Sequence, residues 1–500
     1  MTFGWEQFTE KLNAQGWRPI PGSLRPVPQG GAVFIARKNG ERALGWVGTG
    51  IPFEVPPLWG PLELDGGTIG LFAWDERSYA ALRRLLPLAP RRCDRPVSFG
   101  AGDRLGMATA AQLAALRRYP VFPILAQQSP RELARTGRDF RDVLRTAVLG
   151  VLEAGYAGPF GADADHLQEE AQLRAAAEAG YSLYTFDLRR ALARGPRAQE
   201  ALSSTARAVV AELVGRRIAF PGGVYALDEE ALWEAARVYE GALEEVVRGA
   251  EILKAMGIDA DLEVSVDEVE AETPPEAHAF VVRYLQRRGV ELWSLAPRFP
   301  GVFEKAVDYE GEVERFAQAV ALHHALARSL GGHRLSLHSG SEKFRIFRVF
   351  AERTEGHFHI KTSGTTWLQA VRVIARYRPA LFADLYALAR SALEESRRDY
   401  PIALRQEDLP EGLPADPEAA LAHRAIRQLF HISYGILLAR FGAEIRQALV
   451  EHEAEHAAAV TGNLERHLEA LFEGRESTGV DLLPSPSGEG TGELEGPGRA

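Results

Sequence analysis

The segment 158–188, GPFGADADHLQEEAQLRAAAEAGYSLYTFDL, reads as a strand, a helix and a second strand. Its first nine residues are small or apolar apart from Asp163, Asp165 and His166. An Ala/Glu/Leu run of helical spacing follows, and YSLYTFDL (181–188) is again apolar, with Asp187 near its end. Two extended runs joined through a helix pair in parallel. The same texture continues on both sides. Strands are predicted at 96–102, 121–129, 158–166, 181–188, 261–268, 291–299, 334–341 and 357–365, most of them followed by a helix. Eight such units close a TIM-type (β/α)8 barrel, and the chemistry is then expected on the loops after the strands. The fold class is α/β.

The flanks differ from this core. Residues 1–95 carry short apolar segments split by Gly and Pro between two amphipathic helices, the pattern of a small α+β domain. The barrel is assigned to 96–475, with a helical insertion at about 189–260 and extra helices after 366. Residues 476–500, rich in Gly, Ser, Pro and Glu, are expected to be a disordered tail.

Composition excludes several classes of function. In 500 residues with 25% charged side chains and a net charge of −10, basic residues are interspersed with acidic ones, so no footprint for nucleic acid exists. Met1 is followed by a polar stretch and no run approaches 18 apolar residues, which predicts a cytoplasmic protein without a membrane partner. Self-association is left open. Cys93 is the single cysteine, which excludes an internal disulfide and a thiolate metal cage, so any metal must be held by nitrogen and oxygen. No G-x-G-x-x-G follows the first strand and no Walker motif occurs. HEAEH at 452–456 has the letters of H-E-x-x-H but lies in a charged helix without the further histidine of the longer motif, so no peptidase is inferred.

Two runs carry the chemistry. GADADHL (161–167) sets Asp165 beside His166, and LSLHSGS (335–341) sets His338 before the small residues Ser339, Gly340 and Ser341. A carboxylate and two imidazoles at strand ends can converge on one divalent cation, provided the backbone turns between Asp165 and His166, whose side chains otherwise point apart. The plain alternative is a helix cap by Asp165. His357, His359 and Lys361 alternate along one face of the last strand, and His359 is the candidate third metal ligand, with Glu304 and Asp308 as competitors. Glu263, Ser265 and Asp267 also share a face, which is polar enough to require a cavity or an ion pair.

Seven blocks in order, FGAGDRLGMAT (99–109), FPILAQQSPRELARTGRDFRDVL (122–144), GPFGADADH (158–166), EVSVDE (263–268), LSLHSGSEKF (335–344), FHIKTSGTTWLQAV (358–371) and RQLFHISYG (427–435), resemble the tagaturonate epimerase family. The resemblance implies an enzyme dependent on a divalent metal (Mn, Ni, Co or Zn) that interconverts D-tagaturonate and D-fructuronate, sugar acids differing at C4, with tagatose and fructose as related substrates. A more distant likeness is to class II aldolases, which pair an Asp-His dipeptide with a later LHGxS-type loop, although LAPRF on the sixth strand lacks the metal histidine of those enzymes.

The C4 hydrogen lies β to the ketone, so its removal gives no enolate. Retro-aldol opening of the C3–C4 bond followed by re-addition to the other face of the aldehyde is the expected route. Asp165 is then the candidate base and Glu263 the acid, its pKa raised by burial. Arg298, Lys305 and Lys361 are candidates for the substrate carboxylate, and Gln128, Ser129, Asp187, Asp267 and Ser339 for the remaining polar groups. An aldolase that releases its fragments and a non-catalytic sugar-binding protein are the alternatives.

Overall fold

A computed structural model describes residues 5–472 except 65–66, 268–270, 399 and 401. The expected tail at 476–500 lies outside the described residues. Eight parallel strands close a barrel: β1 (Val97–Ala101), β2 (Phe122–Gln128), β3 (Gly161–Leu167), β4 (Leu183–Asp187), β5 (Asp261–Ser265), β6 (Ser294–Ala296), β7 (Arg334–Leu337) and β8 (Phe358–Thr362). Closure runs through β8 and β1, with Lys361 opposite Gly100. A Cβ on Gly100 would fall 1.7 Å from Gln127 Oε1, so any larger residue at that seam would displace the Gln127 side chain.

Side-chain alternation explains why the strands read as apolar yet carry chemistry. Phe358 and Ile360 pack outward against the helical layer, while His359 and Lys361 face the barrel interior. Two strands are shorter than predicted. β6 stops at Ala296 because Pro297 has no N–H for the ladder. β7 stops at Leu337 because Ser339 takes a left-handed backbone (φ 53°), which places His338-Ser339-Gly340-Ser341 in the loop.

The stretch 189–260 is not wholly helical. It includes an antiparallel hairpin, Arg217–Phe220 with Gly223–Ala226, turned at Pro221-Gly222, before the helix Glu229–Ala255. RIAFPGGVYA carries that turn signal between two short apolar runs, but the long flanking helices mask it.

An antiparallel sheet built on Ala32–Lys38 and Glu41–Gly48 precedes the barrel and shares its apolar core, Val33 and Ile35 in one cluster with Leu144 and Val148. Arg42 ties this sheet to Glu153 of the barrel and to Glu453 of the C-terminal helices. After β8 come the helices Gly364–Tyr377, Pro379–Ser391, Arg424–Glu451 and Glu453–Phe472. They bury a second core around Trp367, whose indole N–H donates to the Phe430 carbonyl (2.8 Å). No helix among the described residues is long and apolar enough to cross a membrane.

Candidate active site

β3 does not end as a regular strand. Its pairing with β4 slips between Tyr184 and Phe186, leaving Asp165 and His166 as a bulge, and His166 adopts φ 53°. A left-handed turn at a histidine is uncommon, and here it brings two consecutive side chains to the same centre. Across the barrel mouth, His338 follows β7. One ligand atom each from Asp165, His166 and His338 lies within 4.8 Å of the others, and the two imidazoles meet edge to face at 5.0 Å.

Each imidazole is backed by a carboxylate. Asp187 Oδ2 lies 3.5 Å from His166 Nδ1, and Asp267 Oδ1 lies 3.2 Å from His338 Nδ1. Asp187 is itself held by Gln168 (2.7 Å) and the Arg189 N–H (2.9 Å), and Asp267 by the Ser265 hydroxyl (2.5 Å). A carboxylate close to Nδ1 can orient an imidazole, as behind metal-bound histidines. Asp187 and Asp267, expected to touch substrate, instead stand behind the histidines.

Below the histidines, Lys361 is enclosed by carboxylates: Asp163 at 2.7 Å, Asp165 at 2.8 Å and Glu263 at 2.7 Å, with the Thr185 hydroxyl at 2.6 Å. Glu263 also meets His338 Nε2 at 2.6 Å. Burial alone would raise every acid here. It prevails at Asp163, lifted to about 7 despite Lys361, whereas at Asp165 the cations His166, Lys361 and His338 outweigh it and hold the carboxyl well below its usual range. Glu263 likewise ends well below normal, because Lys361 and His338 overcome its desolvation. The expectation of a raised Glu263 is therefore corrected: burial was legible, but the ammonium and imidazole facing it were not. Burial lowers His338, but Asp267 and Glu263 more than compensate and bring it to about 9.

These directions carry a charge argument. Asp165, Asp187, Glu263 and Asp267 are all held in the ionised form, against Lys361 and a protonated His338. The centre thus has two excess negative charges before Asp163 and His166 are counted, which suits a divalent cation bound by nitrogen and oxygen.

A narrow cleft opens on this centre, lined among others by Asp165, His166, His338, Ser129, Lys305, Ser339 and Lys361. Lys305 Nζ donates to Ser339 Oγ at 2.7 Å. Ser129 also caps the helix Pro130–Thr136. Other candidates lie elsewhere. His359 sits one layer deeper with Nδ1 2.9 Å from Ser98 Oγ, because two residues along β8 carry it down the barrel from Lys361. Burial takes it to about 3, and it does not join the Asp165/His166/His338 group. Its competitors also point away, since Glu304 accepts from Ala403, Arg424 and Gln428, and Asp308 from the amides of Tyr309 and Arg345. Arg298 stacks on Phe303 at 5.6 Å and does not line the cleft. Gln128 donates to the Asp103 carbonyl (2.9 Å), and its neighbour Gln127, on the opposite face of β2, lines the cleft in its place. His452 stacks on Tyr377 at 4.3 Å and His456 is buried away from the centre, so HEAEH forms no metal motif.

Arg131, Tyr400 and His431 also line the cleft. The SPRE capping signature at 129–132 marks a helix start at a strand end and could have pointed to Arg131. Tyr400 and His431 belong to the C-terminal layer, and nothing local in their sequence announces a site.

A parallel barrel with its ionisable groups gathered beyond the strand ends defines a barrel enzyme acting on a small polar molecule. A tagaturonate epimerase family model matches residues 29–471, and the chain belongs to that family, which makes it an isomerase-class enzyme, an epimerase. It is 39% identical over 413 residues to the tagaturonate/fructuronate epimerase of Thermotoga maritima, covering 78% of this chain and 84% of the relative. The native crystal structure of fructuronate-tagaturonate epimerase UxaE from Cohnella laeviribosi superposes with a TM-score of 0.84 at 30% identity, over 93% of this chain and 99% of that one. A glycerol complex of the same enzyme gives 0.83 at the same identity and coverage.

Proposed function

We propose that this enzyme interconverts D-tagaturonate and D-fructuronate by a metal-dependent retro-aldol and aldol sequence. The carrying observation is the convergence of Asp165, His166 and His338, with Asp187 and Asp267 behind the imidazoles, at the open end of an electronegative barrel. His166 and His338 would hold the divalent cation with Asp165 beside them. Bound there, the cation supplies Lewis-acid polarisation of the substrate's ketone and adjacent hydroxyl.

The chain's own groups handle the protons. Asp165, the carboxylate of the cleft beside the two histidines, accepts the C4 hydroxyl proton as the C3–C4 bond breaks. The bonding electron pair passes to C3, into conjugation with the carbonyl, and C4 becomes an aldehyde. Rotation of that aldehyde and return of the electron pair to its other face re-form the bond, and Asp165 gives the proton back. Lys361, bonded to Asp165 and lining the cleft, replaces Glu263 as the proton-bearing partner, because Glu263 is closed off beneath it. Lys305, supported by Ser339, meets the substrate's carboxylate.

The test is interconversion of the two hexuronates by purified protein after metal stripping and after re-addition of Mn²⁺, Ni²⁺, Co²⁺ or Zn²⁺. Full turnover by metal-free protein would refute metal dependence. Solvent deuterium appearing at C4 would refute the retro-aldol route, which keeps that hydrogen in place.

A further inference from the structure

Resting on the reading of Lys305 as the partner of the substrate's carboxylate, the geometry points to Lys343 as a positioning residue. It clamps the loop after β6 to the loop after β7 and so fixes Lys305 at the cleft wall. Lys343 is fully buried and does not line the cleft. Its Nζ donates to three backbone carbonyls: Glu304 at 2.9 Å and Val307 at 2.5 Å on the first loop, and Ser341 at 3.2 Å on the second. An ammonium has three N–H donors, so this cradle matches the charged form bond for bond, whereas a neutral amine has only two N–H to offer.

The clamped segment is the one that carries Lys305. On one side of that residue, the Glu304 carboxylate accepts from the Ala403 amide (2.8 Å), Arg424 (2.8 Å) and Gln428 (2.7 Å). On the other, Ala306 takes a left-handed backbone (φ 66°), and its carbonyl accepts from Arg427 Nε at 3.0 Å. Such a backbone is costly for a residue with a Cβ and persists only where its surroundings hold it. The C-terminal layer therefore grips the loop at both neighbours of Lys305, and Lys343 ties it to the β7 loop, where Lys305 Nζ meets Ser339 Oγ at 2.7 Å. Removing the ammonium leaves three carbonyls without their donor and frees the two loops to part, so Lys305 loses its register against Ser339 and the metal-binding group. Titration follows the same geometry. Burial, reinforced by the like charge of Lys305, lowers Lys343 to about 7 against the opposing pull of Asp308, Glu342 and Glu304. His431 and His467 of the C-terminal layer also interact with it, and burial holds both below the ordinary 6.5, so neither is charged where Lys343 titrates. The clamp is complete below pH 7 and loses a donor and its charge as pH rises through about 7.

The experiment compares wild type, Lys343→Met, Lys305→Gln and the double variant as full-length proteins saturated with the metal that supports turnover, with hexuronate as substrate. Lys343→Met is expected to raise KM about tenfold and to lower kcat by less than about threefold. Adding it to Lys305→Gln should raise KM by less than about twofold more, because the clamp acts through Lys305. Wild-type KM should climb as pH rises through about 7, while KM of Lys343→Met stays high and flat across the same range. The wild-type profile needs no variant to fold, and thermal unfolding of Lys343→Met separates misfolding from a shifted loop. Effects that multiply in the double variant, a loss of metal affinity that accounts for the KM change, or a wild-type KM that is flat in pH would overturn the assignment. An unchanged KM in Lys305→Gln would instead overturn the reading of Lys305 itself.

Discussion

At the residue scale the site rests on one unusual backbone angle. Asp165 and His166 were legible as a pair in the sequence, but their convergence depends on the bulge and the positive φ of His166, which no neighbouring glycine announces. His338 was legible for the same reason, whereas His359 was misjudged because alternation gives a face and not a depth. If His338 holds the proposed cation, its uptake displaces the proton that Asp267 and Glu263 keep on that ring. Apparent affinity for Co²⁺ or Mn²⁺ is therefore expected to rise with pH up to about 9, by at most about tenfold per pH unit, in titrations with non-coordinating buffers. Asp187→Asn, which weakens the support of His166, should cost about 10–100-fold in metal affinity at fixed pH. Lys361→Met leaves Asp163, Asp165 and Glu263 buried around an uncharged group. Denaturant unfolding of that variant should show a loss of about 3–5 kcal/mol, and adding Glu263→Gln should recover part of it.

At the scale of elements, the alternation of apolar runs and helices was sufficient for the barrel, because strands buried on both faces and amphipathic helices carry distinct periods. The hairpin at 217–226 escaped because its runs are only four residues long. A second feature was equally invisible: His278 of the helix Pro275–Arg287 links His323 of the helix Val313–Ser329 and His333 before β7, through N···N contacts of 2.8 Å each. A chain of neutral rings can satisfy these contacts, each N–H donating to the next bare nitrogen. Burial lowers His323 to about 4 and His333 to about 3, from an ordinary 6.5. At these two groups the unfolded chain therefore binds more protons than the folded one below about pH 6.5, and the stability they contribute falls as pH drops from about 6.5 towards about 4. Unfolding midpoints measured across that window should decline in the wild type and decline less steeply in His323→Phe.

At the scale of the whole molecule, barrel and C-terminal helices act as one body. The barrel supplies the acids and imidazoles, and the layer after β8 supplies Tyr400 and His431 to the cleft wall. Contact is close enough that a Cβ on Gly364 would stand 1.8 Å from His431 Cε1. Gly364→Ala is expected to push that ring into the cleft and lower kcat/KM by at least tenfold with a smaller change in melting temperature, measured by steady-state kinetics and calorimetry. This wall was the least legible part of the site, since Tyr400 and His431 lie more than 200 residues along the chain from Asp165 and have no motif of their own.

The seating of His431 against Gly364, and of Arg131 and Arg104 on Tyr400 and Tyr434, couples segments that are far apart in sequence. Chimeras between homologues should therefore inherit residues 97–136 and 364–434 from the same parent. Crossovers that separate those blocks would mate mismatched halves of the binding chamber, even where each half folds correctly.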